Sequence, residues 1–145
     1  GDSGSGQSPR ELLALPAFWH LSACFVASAV GGLLVAGTFK SLAQRAFHSD
    51  RFLVIAASLA SVSNAAGRLA WGNVLDRFGY ANALVCLNAG QAFLLGTYDR
   101  VVVAGSAPGF LLWTCLIFGF YGGNFAIFPA ATAQLFGNAH AGTQT

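Results

Sequence analysis

The feature that most limits how this chain can fold is how little charge its long apolar stretches contain. Near 15–39, 52–75, 81–98 and 107–132 the sequence runs through four mostly apolar segments. A helix that crosses a bilayer needs about 20 such residues, so each segment is long enough to span. Charged residues make up 8% of the 145 in the chain, against about 25% in a soluble domain. So few charges cannot cover a surface in water. That excludes an ordinary soluble enzyme domain, a disordered tail and a nucleic-acid-binding module. A net charge of +2 leaves no electrostatic footprint for DNA or RNA. Transmembrane β-strands are short and alternate in hydropathy, unlike these continuous runs. The expected fold is an all-α, multi-pass integral membrane protein with four transmembrane helices and the lipid bilayer as its solvent.

Polar residues punctuate this pattern. Residues 1–14 read as a polar, cytoplasmic loop rich in Gly and Ser at its start, and 138–145 as a polar end. Pro16 suits a first helical position, and Trp19 lies where an interfacial aromatic is expected. Lys40 to Arg51 reads as a polar connector. Gly119 and Gly123 have the small-xxx-small spacing that permits close helix approach. Asn88, Gln91 and Asn124 read as interhelical glue. Cys24, Cys86 and Cys115 are scattered through apolar runs and read as small free hydrophobes. No nucleophile triad, phosphate loop or metal-ligand spacing is present, so the sequence predicts no enzyme, no cofactor and no metal.

Arg68 does not fit a lipid environment. It precedes the charged turn at Asp76 by eight residues, which puts it about 12 Å into the membrane. Arginine at such depth costs about 2.5–3.5 kcal/mol and stays charged. It is expected to face the bundle interior or a water-filled cavity. The acids are Asp2, Glu11, Asp50, Asp76 and Asp99, all in loops or at helix ends. The counter-ion is therefore an acid on chain not present here or an anionic ligand, and a guanidinium suits a carboxylate through two parallel hydrogen bonds. Asn64, one turn earlier on the same face, can share the ligand or orient the guanidinium. Tyr121 is a candidate cavity wall. The plainer alternatives are a snorkelling Arg68 and an Asn64 that only joins helices.

The stretch from Asn64 to Gly79, with Gly72, Asp76, Arg77 and Gly79 spaced as G-x-x-x-D-R-x-G, resembles the signature of the major facilitator superfamily. Pro16-Ala-Phe-Trp19 and the run from Asn124 through Phe128-Pro129 to Gly137 look like the oxalate:formate antiporter branch, and monocarboxylate transporters share part of the pattern. The resemblance covers nearly the whole chain after Gln7. It implies helices seven to ten of a twelve-helix fold, with the missing remainder of the same transporter chain as partner. It implies that Gly72 admits a neighbouring helix, that Asp76 and Arg77 engage helix ends and one another, and that Gly79 makes a tight turn. The basic residues that usually follow the last Gly are replaced by Tyr80, Ala81 and Asn82. The branch's carboxylate-binding arginine on helix eight matches Arg68. Where monocarboxylate transporters have an acid one turn before it, this chain has Asn64, which tilts the expectation toward anion exchange over proton symport.

The resemblance also puts Arg10 and Arg77 on the cytoplasmic side, opposite to what the basic residues Lys40, Arg45, Arg51 and Arg100 would give by the positive-inside rule. The expected function is secondary active transport of small organic anions by alternating access, with a small carboxylate as substrate. The rivals are a non-transporting membrane protein that keeps the fold and a facilitator of other solutes such as sugars or drugs.

Overall fold

The computed structural model describes residues 15–137. The expected polar loop 1–14, with Asp2, Arg10 and Glu11, and the polar end 138–145 lie outside the described residues. Three helices make up the described chain: α1 (Pro16–Phe47), α2 (Asp50–Val103) and α3 (Ala107–Gly137). All three are long and apolar enough to cross a membrane.

The ends of the helices follow local chemistry. Leu15 is extended and Pro16 opens α1, where its missing N–H costs nothing. His48 closes α1 in the left-handed conformation, its N–H donating to the Gln44 carbonyl. The Ser49 hydroxyl then accepts from the Phe52 N–H and caps α2, a standard way to satisfy an orphan donor. Ser106 does the same for α3 through the Gly109 N–H. Pro129 lies within α3, and the helix continues through it to Gly137.

Four separate helices were expected; three are found. The spans expected near 52–75 and 81–98 belong to one 54-residue helical element, interrupted only at Gly79. The interruption is sharp. Trp71 and Leu87 both crowd the position where Gly123 would carry a Cβ, although a straight helix would hold them about 24 Å apart. The chain therefore folds back at Gly79, whose φ of 76° and ψ of 164° belong to a region essentially reserved for glycine. With Asp76 and Arg77 continuing the helix to this point, no loop is needed. The two arms, 50–78 and 80–103, run in opposite directions beside α3.

Two other boundaries shift. The predicted connector after residue 39 is helical to Phe47, because Phe39 and Ala43 continue a buried i, i+4 stripe that outweighs the polar residues between them. The stretch predicted to end at 98 runs to Val103, with Arg100 in its last turn, where a cation complements the helix dipole.

Packing is organised in layers. Toward the Gly79 end, Leu21, Leu75, Leu87, Ile127 and Phe128 form one apolar cluster. Toward the other end, Val35, Phe39, Leu94, Phe110 and Ile117 form a second. Between them lies a buried polar layer of Ser28, Gln91 and Asn124. The outer surface is apolar: Leu34, Leu69, Val85 and Phe93 are each more than 60% exposed. Such a surface calls for lipid or further protein rather than water.

Candidate functional site

Glycines set the geometry around Arg68. A Cβ on Gly67 would strike the backbone of Gly119, and one on Gly122 would strike the backbone of Asn64. The 50–78 arm thus lies on α3 nearly backbone to backbone, as small residues allow in membranes. Asn64 ties the seam by donating from Nδ2 to the Phe118 carbonyl at 3.2 Å. Its amide is a packing contact here, one turn from Arg68 but bonded away from it.

Arg68 follows Gly67 and emerges at the edge of this seam. It is exposed among the described residues, and its guanidinium lies over the Phe125 ring, 4.8 Å from the centroid. A cation over an aromatic face at an exposed site is stabilised by about 0.5–1 kcal/mol. No described acid pairs with it; Asp50, Asp76 and Asp99 are exposed at the ends of the two arms. Tyr121 reaches the same place from the other side. Its ring packs beneath Gly32 and meets Phe125 edge-on at 5.3 Å between centroids. Phe125 is therefore where Arg68 and Tyr121 converge.

Phe125 also walls a cavity of about 500 Å³ between α1 and α3, within the usual range for small-molecule pockets. Leu21, Phe25, Val26 and Phe128 make it apolar, and Ser22, Asn124 and Thr132 give it polar points. A smaller cavity of about 230 Å³ adjoins Ser28, Asn88 and Gln91. Asn88 donates to its own helix at the Leu84 carbonyl.

The polar layer between the cavities has a determined hydrogen-bond pattern. The Ser28 carbonyl can only accept, so Gln91 presents Nε2 to it, at 2.6 Å. Gln91 Oε1 then accepts from the Ser28 hydroxyl at 2.6 Å and from Asn124 Nδ2 at 3.2 Å. This fixes the Asn124 amide, whose Oδ1 has no hydrogen-bond partner among the described residues. A buried acceptor left unmade is costly, and such an atom marks a place for a donor.

The turn motif is positioned differently from the site. Gly79 makes the reversal. Asp76 and Arg77 are exposed just before it. No described atom lies within 4 Å of where a Cβ on Gly72 would sit. The close approaches are made instead by Gly67, Gly119, Gly122 and Gly123.

Comparison with known proteins agrees with this membrane architecture. The chain is 32% identical over 139 residues to apicoplast pyruvate carrier 1 of Toxoplasma gondii, covering 90% of this chain and 24% of that protein. It is 26% identical over 130 residues to the oxalate:formate antiporter of Oxalobacter formigenes, covering 90% of this chain and 31% of that protein. Apicoplast pyruvate carrier 2 of Toxoplasma gondii is 32% identical over 99 residues, 66% of this chain and 15% of the relative. This chain is similar to carriers and an antiporter. It spans 24% and 31% of the length of the first two relatives. No family model matches, and no solved structure matches. Three apolar helices of spanning length and relatives that are transporters support an integral, multi-pass membrane protein.

Arg68, Asn64 and Tyr121 stand out in the sequence; Phe125 does not, being a plain apolar residue until its position beneath Arg68 is known. Gln91 and Asn124 were visible as polar residues deep in apolar runs. What the sequence could not show is that their bonds leave one acceptor over.

Proposed function

We propose that this chain is part of the C-terminal half of a major facilitator transporter, corresponding to helices seven to ten, that moves small organic anions by alternating access. Arg68 anchors the substrate carboxylate, with Tyr121 and Phe125 as the aromatic wall beside it and Asn64 holding the arm that carries the arginine. The observation that carries this reading is Arg68 itself: a permanent cation in the middle of an apolar arm, its guanidinium resting on the Phe125 ring with no acid partner among the described residues. Two relatives covering 90% of the chain are named for pyruvate and for oxalate and formate, all carboxylates, which supports the same substrate class. Substrate and wall meet near mid-membrane, where transporter sites commonly lie. In this reading Gly72, Asp76, Arg77 and Gly79 form the turn that couples the two arms during the conformational cycle.

Uptake of labelled pyruvate and of labelled oxalate into proteoliposomes holding the intact protein tests the assignment. Arg68→Gln is expected to abolish uptake of whichever anion the wild type carries. Wild-type rates in that variant would refute it.

A further inference from the structure

The cavity between α1 and α3 has no part in anchoring a carboxylate, yet it shares the Phe125 wall with Arg68. One aromatic ring separates the Arg68 guanidinium from about 500 Å³ of mostly apolar space. We propose that this cavity is the body pocket of the transport site, and that the substrate is a monocarboxylate with a bulky apolar substituent rather than a compact dicarboxylate. The inference rests on the function proposed above and names the substrate class for that site.

Two observations support it. First, the cavity wall is built from Leu21, Phe25, Val26, Phe125 and Phe128, so an aliphatic or aromatic group is favoured there by burial of apolar surface. Second, a dicarboxylate placed with one end on Arg68 would bring its second carboxylate into this space. No cationic side chain among the described residues lines the cavity, so that charge would lie unpaired in mostly apolar surroundings, at large cost. Binding swings Phe125 from the guanidinium, and the carboxylate replaces the ring as the partner of Arg68.

The test uses proteoliposomes of the intact protein. Labelled pyruvate uptake is competed with oxalate, 4-methyl-2-oxopentanoate and phenylpyruvate, and direct uptake of each is measured. The two bulky monocarboxylates are expected to compete at concentrations at least tenfold lower than oxalate. Filling the cavity with Ser22→Leu or Val26→Phe is expected to lower the phenylpyruvate-to-pyruvate uptake ratio by about tenfold, with gel-filtration elution confirming that each variant folds. Oxalate competing as well as or better than phenylpyruvate, or an unchanged ratio in a folded filled variant, would overturn the proposal. The wild-type competition needs no variant and decides alone if neither one folds. Arg68→Gln separates the two readings. Loss of all uptake without the size preference removes the body pocket and keeps the anchor. Full uptake in Arg68→Gln removes both.

Discussion

At the residue scale, the molecule is governed by a few polar atoms placed where water is scarce. Gln91 satisfies Ser28 and Asn124 together, and three helical segments meet at its amide. Replacing it with Leu strands the Ser28 hydroxyl and removes one acceptor of Asn124 Nδ2, so Gln91→Leu is expected to destabilise by about 1–3 kcal/mol. The unfolding midpoint of the intact protein in detergent checks this, and an unchanged midpoint would show the layer to be dispensable. Both residues were legible in the sequence as polar groups in apolar runs. Their roles were not, because hydrogen-bond direction depends on which carbonyl faces which amide. Phe125 was illegible for the opposite reason: a phenylalanine in an apolar stretch has no pattern to set it apart until a cation is found over its face.

At the element scale, glycine decides both the reversal and the closest packing. Gly79 adopts backbone angles that a side chain resists, so Gly79→Ala is expected to cost about 1–3 kcal/mol. Gly67→Ala places a methyl group against the backbone of Gly119, which cannot move aside as a side chain could, and is expected to cost about 1–3 kcal/mol. Gly96 is exposed and has no described atom near its Cβ position, so Gly96→Ala serves as the tolerated control. The same unfolding assay ranks them; a Gly96→Ala effect as large as the other two would contradict this account. The sequence motif marked Gly79 as a turn, but hydropathy drew the turn as a gap between two helices. Helical geometry carried on through Asp76 and Arg77 because a single glycine can reverse the chain. The extension of α1 to Phe47 was hidden similarly, since Lys40 and Arg45 masked the buried stripe of Phe39 and Ala43.

At the scale of the whole molecule, the arms place Ser49 and Ser106 at one end and Gly79 at the other. With Cys24, Cys86 and Cys115 replaced, single cysteines at Ser49 and Ser106 in the intact protein are expected to label from one side of the membrane, and one at Arg77 from the opposite side. Labelling of all three from one side would contradict the hairpin at Gly79. All-helical membrane character was readable from composition, because no other solvent tolerates this surface. The layering of two apolar clusters around a polar seam was not, since it depends on register among segments far apart in sequence. The central claim is that Arg68 is the anion anchor, and equilibrium binding measures it most directly. Labelled pyruvate should bind the purified intact protein at least 30-fold more weakly in Arg68→Gln than in the wild type, since a charged hydrogen-bonding partner contributes about 2 kcal/mol or more. Arg68→Lys should retain part of the affinity, because the charge remains but the planar fork is lost. Wild-type affinity in Arg68→Gln would contradict the account.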